Sequence, residues 1–264
     1  MKRYVVCVAI VFGIASTGLA QRIGKLNMQV GQRESTAQVV QKWNSYELPD
    51  ASLDSTDFTP ELLPYDLTQL WVNKRWARIG FNGDNYQRFD IYFNSLGRDS
   101  VDRSIYHVTG KTRVRKNICS FEGTIQLIAA RKLTNTPKDR DGASLDTLER
   151  GIALCTYRFL EDRKQKFSGI FEGQVTTIWF IDPRKNLHYD DIDMQFSDRY
   201  YNNAFLGTWK SYDNRLVKPC SWGDCRIPDS GDLDVGEGEF YPNPKYLKNG
   251  WSTFGHGTEK VWWK

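Results

Sequence analysis

From about Leu70 onward, apolar residues recur at every second position. A chain with that period buries its apolar side chains by forming strands with one face turned to a core. Phe89, Ile91 and Phe93 alternate with Arg88, Asp90, Tyr92 and Asn94. Tyr106, Val108, Thr112 and Val114 alternate with His107, Thr109, Lys111, Arg113 and Arg115. Cys119, Phe121, Ile125, Leu127 and Ala129 share a face opposite Ser120, Glu122, Thr124 and Gln126, and Cys155, Tyr157 and Phe159 alternate with Thr156 and Arg158. The run from Gly169 to Ile181 is apolar on both faces, as a central strand is. Phe81-Asn82-Gly83-Asp84-Asn85-Tyr86 holds turn chemistry between two such runs and predicts a hairpin. The expected fold is all-β, an antiparallel β-barrel or sandwich forming one domain over 67–264. A long loop region would follow about Gly207, and a polar arm over 21–66 would precede the domain, with a short helix at about 36–44.

The N-terminus predicts export. Lys2 and Arg3 precede an apolar run from Tyr4 to Ile14, and small residues close the stretch at Gly18-Leu19-Ala20. A basic start, a short apolar core and small residues before a cut define a signal peptide over 1–20. The run is shorter than the roughly 20 residues a spanning helix needs, and no later segment is long enough, so no transmembrane helix is expected. Loss of Lys2 and Arg3 lowers the net charge from +4 to +2. A near-neutral chain does not supply the concentrated basic face that nucleic acid requires. The Lys111–Lys116 stretch, with its charges alternating along a strand, reads as a solvated strand face.

Four cysteines lie beyond the signal peptide: Cys119, Cys155, Cys220 and Cys225. In an exported chain an even number predicts disulfides. Cys119 and Cys155 both fall on inward phases, so a buried Cys119–Cys155 bond is expected, with a local Cys220–Cys225 bond beside it. By the chain-entropy argument the longer loop would contribute on the order of 3–4 kcal/mol.

FEGTIQL at Phe121–Leu127 echoes FEGQVTT at Phe171–Thr177, in the same phase. Phe, Gly and a β-branched residue fall on one face, with Glu122 and Glu172 on the other. Two carboxyl groups on one side are the arrangement a glycosidase uses, and the competing reading is a solvated outer face. Asp224, Asp229, Asp232, Asp234, Glu237 and Glu239 crowd sixteen residues rich in glycine. Hard oxygen donors of that kind suit calcium, with Asp232, Asp234 and Glu237 as ligands, against a plain solvated loop. A second acidic run, Asp190-Asp191-Ile192-Asp193, follows His188 and reads as a turn. Nine Trp and thirteen Tyr are more than core filling needs. Trp209, Trp222 and Trp251 are therefore candidates to line a ligand site. There is no G-x-S-x-G, H-E-x-x-H or P-loop.

FLGTWKSY and the later CSWGDCRIPDSGDLDVGEGEFYPNPKYLKNGW, with IYHVTGKTRVRKN and FEGTI before them, resemble a family of secreted β-rich proteins of Bacteroidetes-type bacteria. The resemblance implies bacterial origin and a secreted or periplasmic location. Gly207-Thr208-Trp209 is similar to the lipocalin G-x-W signature, which lipocalins carry on their first strand; here 55 residues follow Trp209. The leading expectation is a secreted, non-enzymatic binding protein for a small molecule or a glycan. The alternatives are a carbohydrate-active enzyme using carboxylates and a structural surface protein.

Overall fold

A computed structural model describes residues 53–72, 78–134, 149–192, 198, 203–255 and 262–263. The expected signal peptide, the expected helix at 36–44, Asp193 and His256 lie outside them.

Nine strands follow one another: β1 (Arg78–Asn82), β2 (Gln87–Arg98), β3 (Ile105–Val114), β4 (Asn117–Lys132), β5 (Glu149–Glu161), β6 (Gly169–Ile181), β7 (Leu187–Tyr189), β8 (Ala204–Ser211) and β9 (Val217–Asp224). Each pairs antiparallel with its neighbours, and pairing of β1 with β9 and β5 with β6 closes eight of them into a barrel. β7 is an extra strand beside the distal half of β6, whose proximal half pairs with β8. The two-sided apolar character of β6 has its cause on the outer face, where Ile178 packs with Ala129, Ile152 and Leu154 beneath Leu53 and Leu133. The 81–86 turn is the β1–β2 hairpin, with Gly83 at φ 92° and Tyr86 at φ 52°.

Inward phases hold along β3, where Tyr106, Val108 and Thr112 are buried while His107 and Thr109 are exposed, but on β4 a bulge after Leu127 turns Ala129 out of the expected inward face, into a separate cluster with Ile152, Leu154 and Ile178. An eight-stranded barrel is just wide enough for side chains to fill. Here aromatic rings do so. Trp222 contacts Phe89, Tyr157, Phe171 and Phe205 at centroid distances of 4.7–6.2 Å. Such rings fit because glycines face them. A Cβ on Gly80, which pairs with Trp222 across the β1–β9 closure, would lie 2.5 Å from the Trp222 Cβ. One on Gly110 would lie 2.4 Å from the Phe121 ring.

The segment 53–66, expected to belong to a free arm, is docked to one end of the barrel. Leu53 bridges to Leu133, and the Phe58 and Asp54 amides donate to the Ala130 and Lys132 carbonyls. Two single-turn helices, α1 (Thr59–Leu62) and α2 (Thr68–Trp71), follow. They place Leu62, Leu67, Leu70 and Trp71 in the barrel core, all at 0% exposure. These four apolar residues seal an end that the strands alone leave open. A second core lies outside the wall, where Ile227, Leu233, Phe240 and Trp251 of the C-terminal region pack on Ile79 and Phe81 of β1.

Neither expected disulfide forms. Cys119 and Cys155 both point inward and are buried, as their phase requires. But Cys155 pairs with Leu127, eight residues along β4 from Cys119, a rise of roughly 26 Å against the 7 Å limit for a bridge. Cys220 and Cys225 are not the ends of a loop either. The stretch expected to be a long loop after Gly207 instead forms the end of β8 and β9, and β9 extends from Cys220 to Asp224 over about 13 Å, past which Cys225 follows in a turn at φ 63°. Cys119, Cys155 and Cys220 act as small apolar fillers. Burial pushes the Cys119 thiol up to about 11 and the Cys155 and Cys220 thiols well above their usual range.

Candidate functional site

The three tryptophans expected to share a ligand site are dispersed. Trp222 is fully buried at the middle of the barrel. Trp251 lies in the outer core, its indole donating to the Tyr86 carbonyl at 2.7 Å. Trp209 faces inward near the barrel end opposite the helices. There its indole Nε1 donates at 3.0 Å to the Glu161 carboxylate.

Glu161 is the last inward residue of β5 and is 5% exposed. Its carboxylate also accepts from the Thr112 hydroxyl and from the Gly169 amide at 2.8 Å, joining β3, β6 and β8. Burial raises its pKa, while the Thr112, Trp209 and Gly169 donors work against that rise. A raised native pKa means the folded state holds the proton more tightly. The stability contribution is full below the unfolded carboxyl value of about 4.3 and is lost as pH rises through the native value. Glu161→Gln is expected to keep the fold and to remove that part of the decline between pH 4 and neutrality. Its amide oxygen can accept from Gly169 and Trp209 while its NH2 donates to Thr112. Glu161→Ala is expected to cost about 2–4 kcal/mol, because buried donors lose their acceptor. Urea melts across that pH range separate the two variants.

The acidic loop is built around a cation already present in the chain. Arg226, 2% exposed, donates to the Asp234 carboxylate at 2.7 Å and to the carbonyls of Gly236 and Glu237 at 3.0 and 2.8 Å. Asp234 in turn accepts from the amides of Gly236 and Tyr241. Asp232 bonds Lys245 and the Tyr246 hydroxyl instead. The three residues expected to bind calcium therefore do not converge, and no cluster of three metal-ligating side chains occurs among the described residues.

Glu122 and Glu172 do face the same way, outward, as the echo predicts. β5 stands between them: Glu122 pairs with Leu160 and Glu172 with Arg158. Two strand spacings and a two-residue offset put their backbones on the order of 12 Å apart. Glu172 forms an ion pair with Lys210, and Arg158 approaches it at 3.8 Å. His188 is held by Asp182 at 3.0 Å and stacks on Phe180. Asp190 pairs with Arg150, both buried. His107 is exposed and bonds Asp99 at 2.8 Å, which holds the Asp99 carboxyl down at about 2.

An open cleft of about 490 Å3 lies at the sealed end, between the docked segment and the ends of β4, β5 and β6. Asp54, Thr56, Phe58, Glu61 and Tyr65 form one wall; Lys132, Glu149, Ile181 and Lys185 form the other. Glu149 receives Lys132 at 2.8 Å and Lys185 at 2.9 Å, and those lysines hold its pKa below the usual range. Phe58 lies flat against Trp179 at 5.3 Å, with the Lys132 ammonium 4.5 Å from its ring centre. Sequence reasoning missed this site because half of it comes from the presumed arm. Its one local signal is the aromatic pair Phe58 and Tyr65 within a polar stretch.

No protein-family model, curated protein or solved structure matches the chain.

Proposed function

We propose that the protein is an exported, non-enzymatic binding protein whose ligand sits in the cleft at the sealed end of the barrel. The observation that carries this reading is the cleft itself. It has the volume of a small-molecule site, and it faces one wall bearing Phe58 and Tyr65 with a Lys132–Glu149–Lys185 array of donors and acceptors on the other. Such walls suit a polyhydroxylated ligand, a short saccharide, whose hydroxyls can exchange for the bonds the lysines make with Glu149. The barrel lumen is the less favourable seat, because Trp222 and the rings around it occupy its centre. Carbohydrate cleavage by Glu122 and Glu172 has weaker support, since each lies on the outer wall with β5 between them.

The test is calorimetric titration with a panel of mono- and oligosaccharides, repeated on Lys185→Ala and Glu149→Gln. Both positions are partly or largely exposed, so melting temperatures should hold within a degree or two. Saccharide binding that weakens about tenfold in each variant supports the site, as loss of one charged hydrogen bond predicts. Binding that is unchanged in both variants, or absent across the panel, overturns it.

A further inference from the structure

At the end of the barrel away from the cleft, three turns stand side by side: 115–116 between β3 and β4, 162–168 between β5 and β6, and 212–216 between β8 and β9. They are tied together. Asp162 and Gln165 bond the backbone of Ser120, and the Arg163 guanidinium lies 4.1 Å from the Tyr212 ring centre. Out of this bonded platform project large apolar side chains: Phe167 is 81% exposed, Leu216 54% and Val217 50%, with Ile118 beside them at 41%. These three turns carry Arg115, Lys116, Arg163, Lys164, Lys166 and Arg215 against Asp162 and Asp213, and the β1–β2 turn at the same end adds Asp84. The sealed end has no such excess, for Asp57, Glu61, Asp66 and Asp102 stand there beside Arg98, Arg103 and Lys185.

Phe167 is the sharpest of these features. Its backbone is left-handed, at φ 58°. A bulky residue pays for that conformation in strain and usually gains it back by packing. Arg115 and Asn214 in the neighbouring turns take the same backbone, so the turns explain the conformation, but packing does not explain an exposed phenyl ring there. An apolar tip ringed by lysine and arginine is what an anionic bilayer surface binds: the ring enters the headgroup region and the cations meet lipid phosphates.

We propose that this end of the barrel is a docking surface for an anionic membrane, with Phe167 and Leu216 as the inserting residues. The protein would then stand on the bilayer with the cleft held away from it, at the far end of the strands. This inference is independent of the cleft's ligand.

The experiment is co-sedimentation of the full protein with vesicles of phosphatidylcholine alone and of phosphatidylcholine mixed with phosphatidylglycerol. The expected result is binding to the mixed vesicles only, weakening as salt is raised. Lys164→Ala with Lys166→Ala should lower partitioning about thirtyfold. Phe167→Asn separates a surface role from a folding role. Asparagine accepts the left-handed conformation, so the melting temperature should hold or rise while partitioning falls. Val101→Asp, at a 90% exposed position on the opposite end, should change nothing. Absence of binding to the mixed vesicles, equal binding to neutral ones, or full binding by Phe167→Asn overturns the proposal. So does binding to a soluble polyanion that competes away all vesicle binding and is itself unaffected by Phe167→Asn with Leu216→Asn.

Discussion

Replacing Trp222 with alanine is expected to destabilise the protein by roughly 3–5 kcal/mol, the range for deleting a buried aromatic side chain. The position is an extreme case for two reasons. Trp222 is fully buried and packs against rings contributed by β2, β5, β6 and β8, so no single neighbour can collapse into the space. It also sits on β9, one of the two strands that close the barrel, opposite Gly80. Trp222→Phe should cost roughly half as much or less, because the indole N–H has no hydrogen-bond partner among the described residues and only volume is lost. Equilibrium unfolding in urea measures both. Equal losses in the two variants would mean that a polar contact of the indole, and not its volume, holds the core.

Asp224→Ala is expected to be equally damaging, at about 3–5 kcal/mol, for an electrostatic reason. A ring of hydrogen bonds fastens the helices to the barrel end. The Trp71 indole donates to Thr177 at 2.9 Å, Thr177 donates to Asn203 at 2.9 Å, and Asn203 donates to Asp224 at 2.6 Å and to the Leu70 carbonyl at 2.9 Å. Arg78 completes the circuit, with Nε on Asp224 at 3.2 Å and Nη2 on the Trp71 carbonyl at 3.0 Å. Burial pushes the Asp224 carboxyl up, and Arg78 and Asn203 oppose that shift by holding its charge. Removing the carboxylate strands the Arg78 charge and the Asn203 donor in a site with little water. Asp224→Asn, which keeps an acceptor for Arg78, should lose clearly less. Protection of the Trp71 indole proton against hydrogen exchange reports the seal directly, and it should collapse in the alanine variant. Retained protection there would show that apolar packing of Leu62, Leu67 and Leu70 is sufficient by itself.

Much of the barrel was legible in the chain because side-chain direction along a strand is a local property. Tyr106 and Val108, Cys155 and Phe159, and the paired echoes Phe121-Gly123-Ile125 and Phe171-Gly173-Val175 all take the faces their phase dictates. The candidate sites were far less legible. Arg88 and Asp90 have the phase of a solvated face, yet they are 7% and 8% exposed. Their covering comes from Trp251 and Phe254, more than 150 residues later, whose rings lie 5.9 and 5.6 Å from the Arg88 guanidinium. Likewise Lys111 and Arg113 meet Trp263 and Trp262 rather than open water. The acidic loop looked like a cation site because Arg226 is one charge among many in sequence but the centre of the loop in space.

The sequence by itself therefore determined the strands from β1 to β6, most of their inward faces, the first hairpin and the all-β class, since each rests on parity and on turn chemistry within a few residues, whereas β9 fell in a stretch read as loop. Tertiary structure alone decided three things: that β1 would meet β9 and close the sheet, how far apart two inward cysteines would lie, and that the stretch around Phe58 would become one wall of a cleft. Each of these depends on register or docking between segments distant in the chain. Period-two alternation states which way a side chain points, and it carries no information about what it will find there.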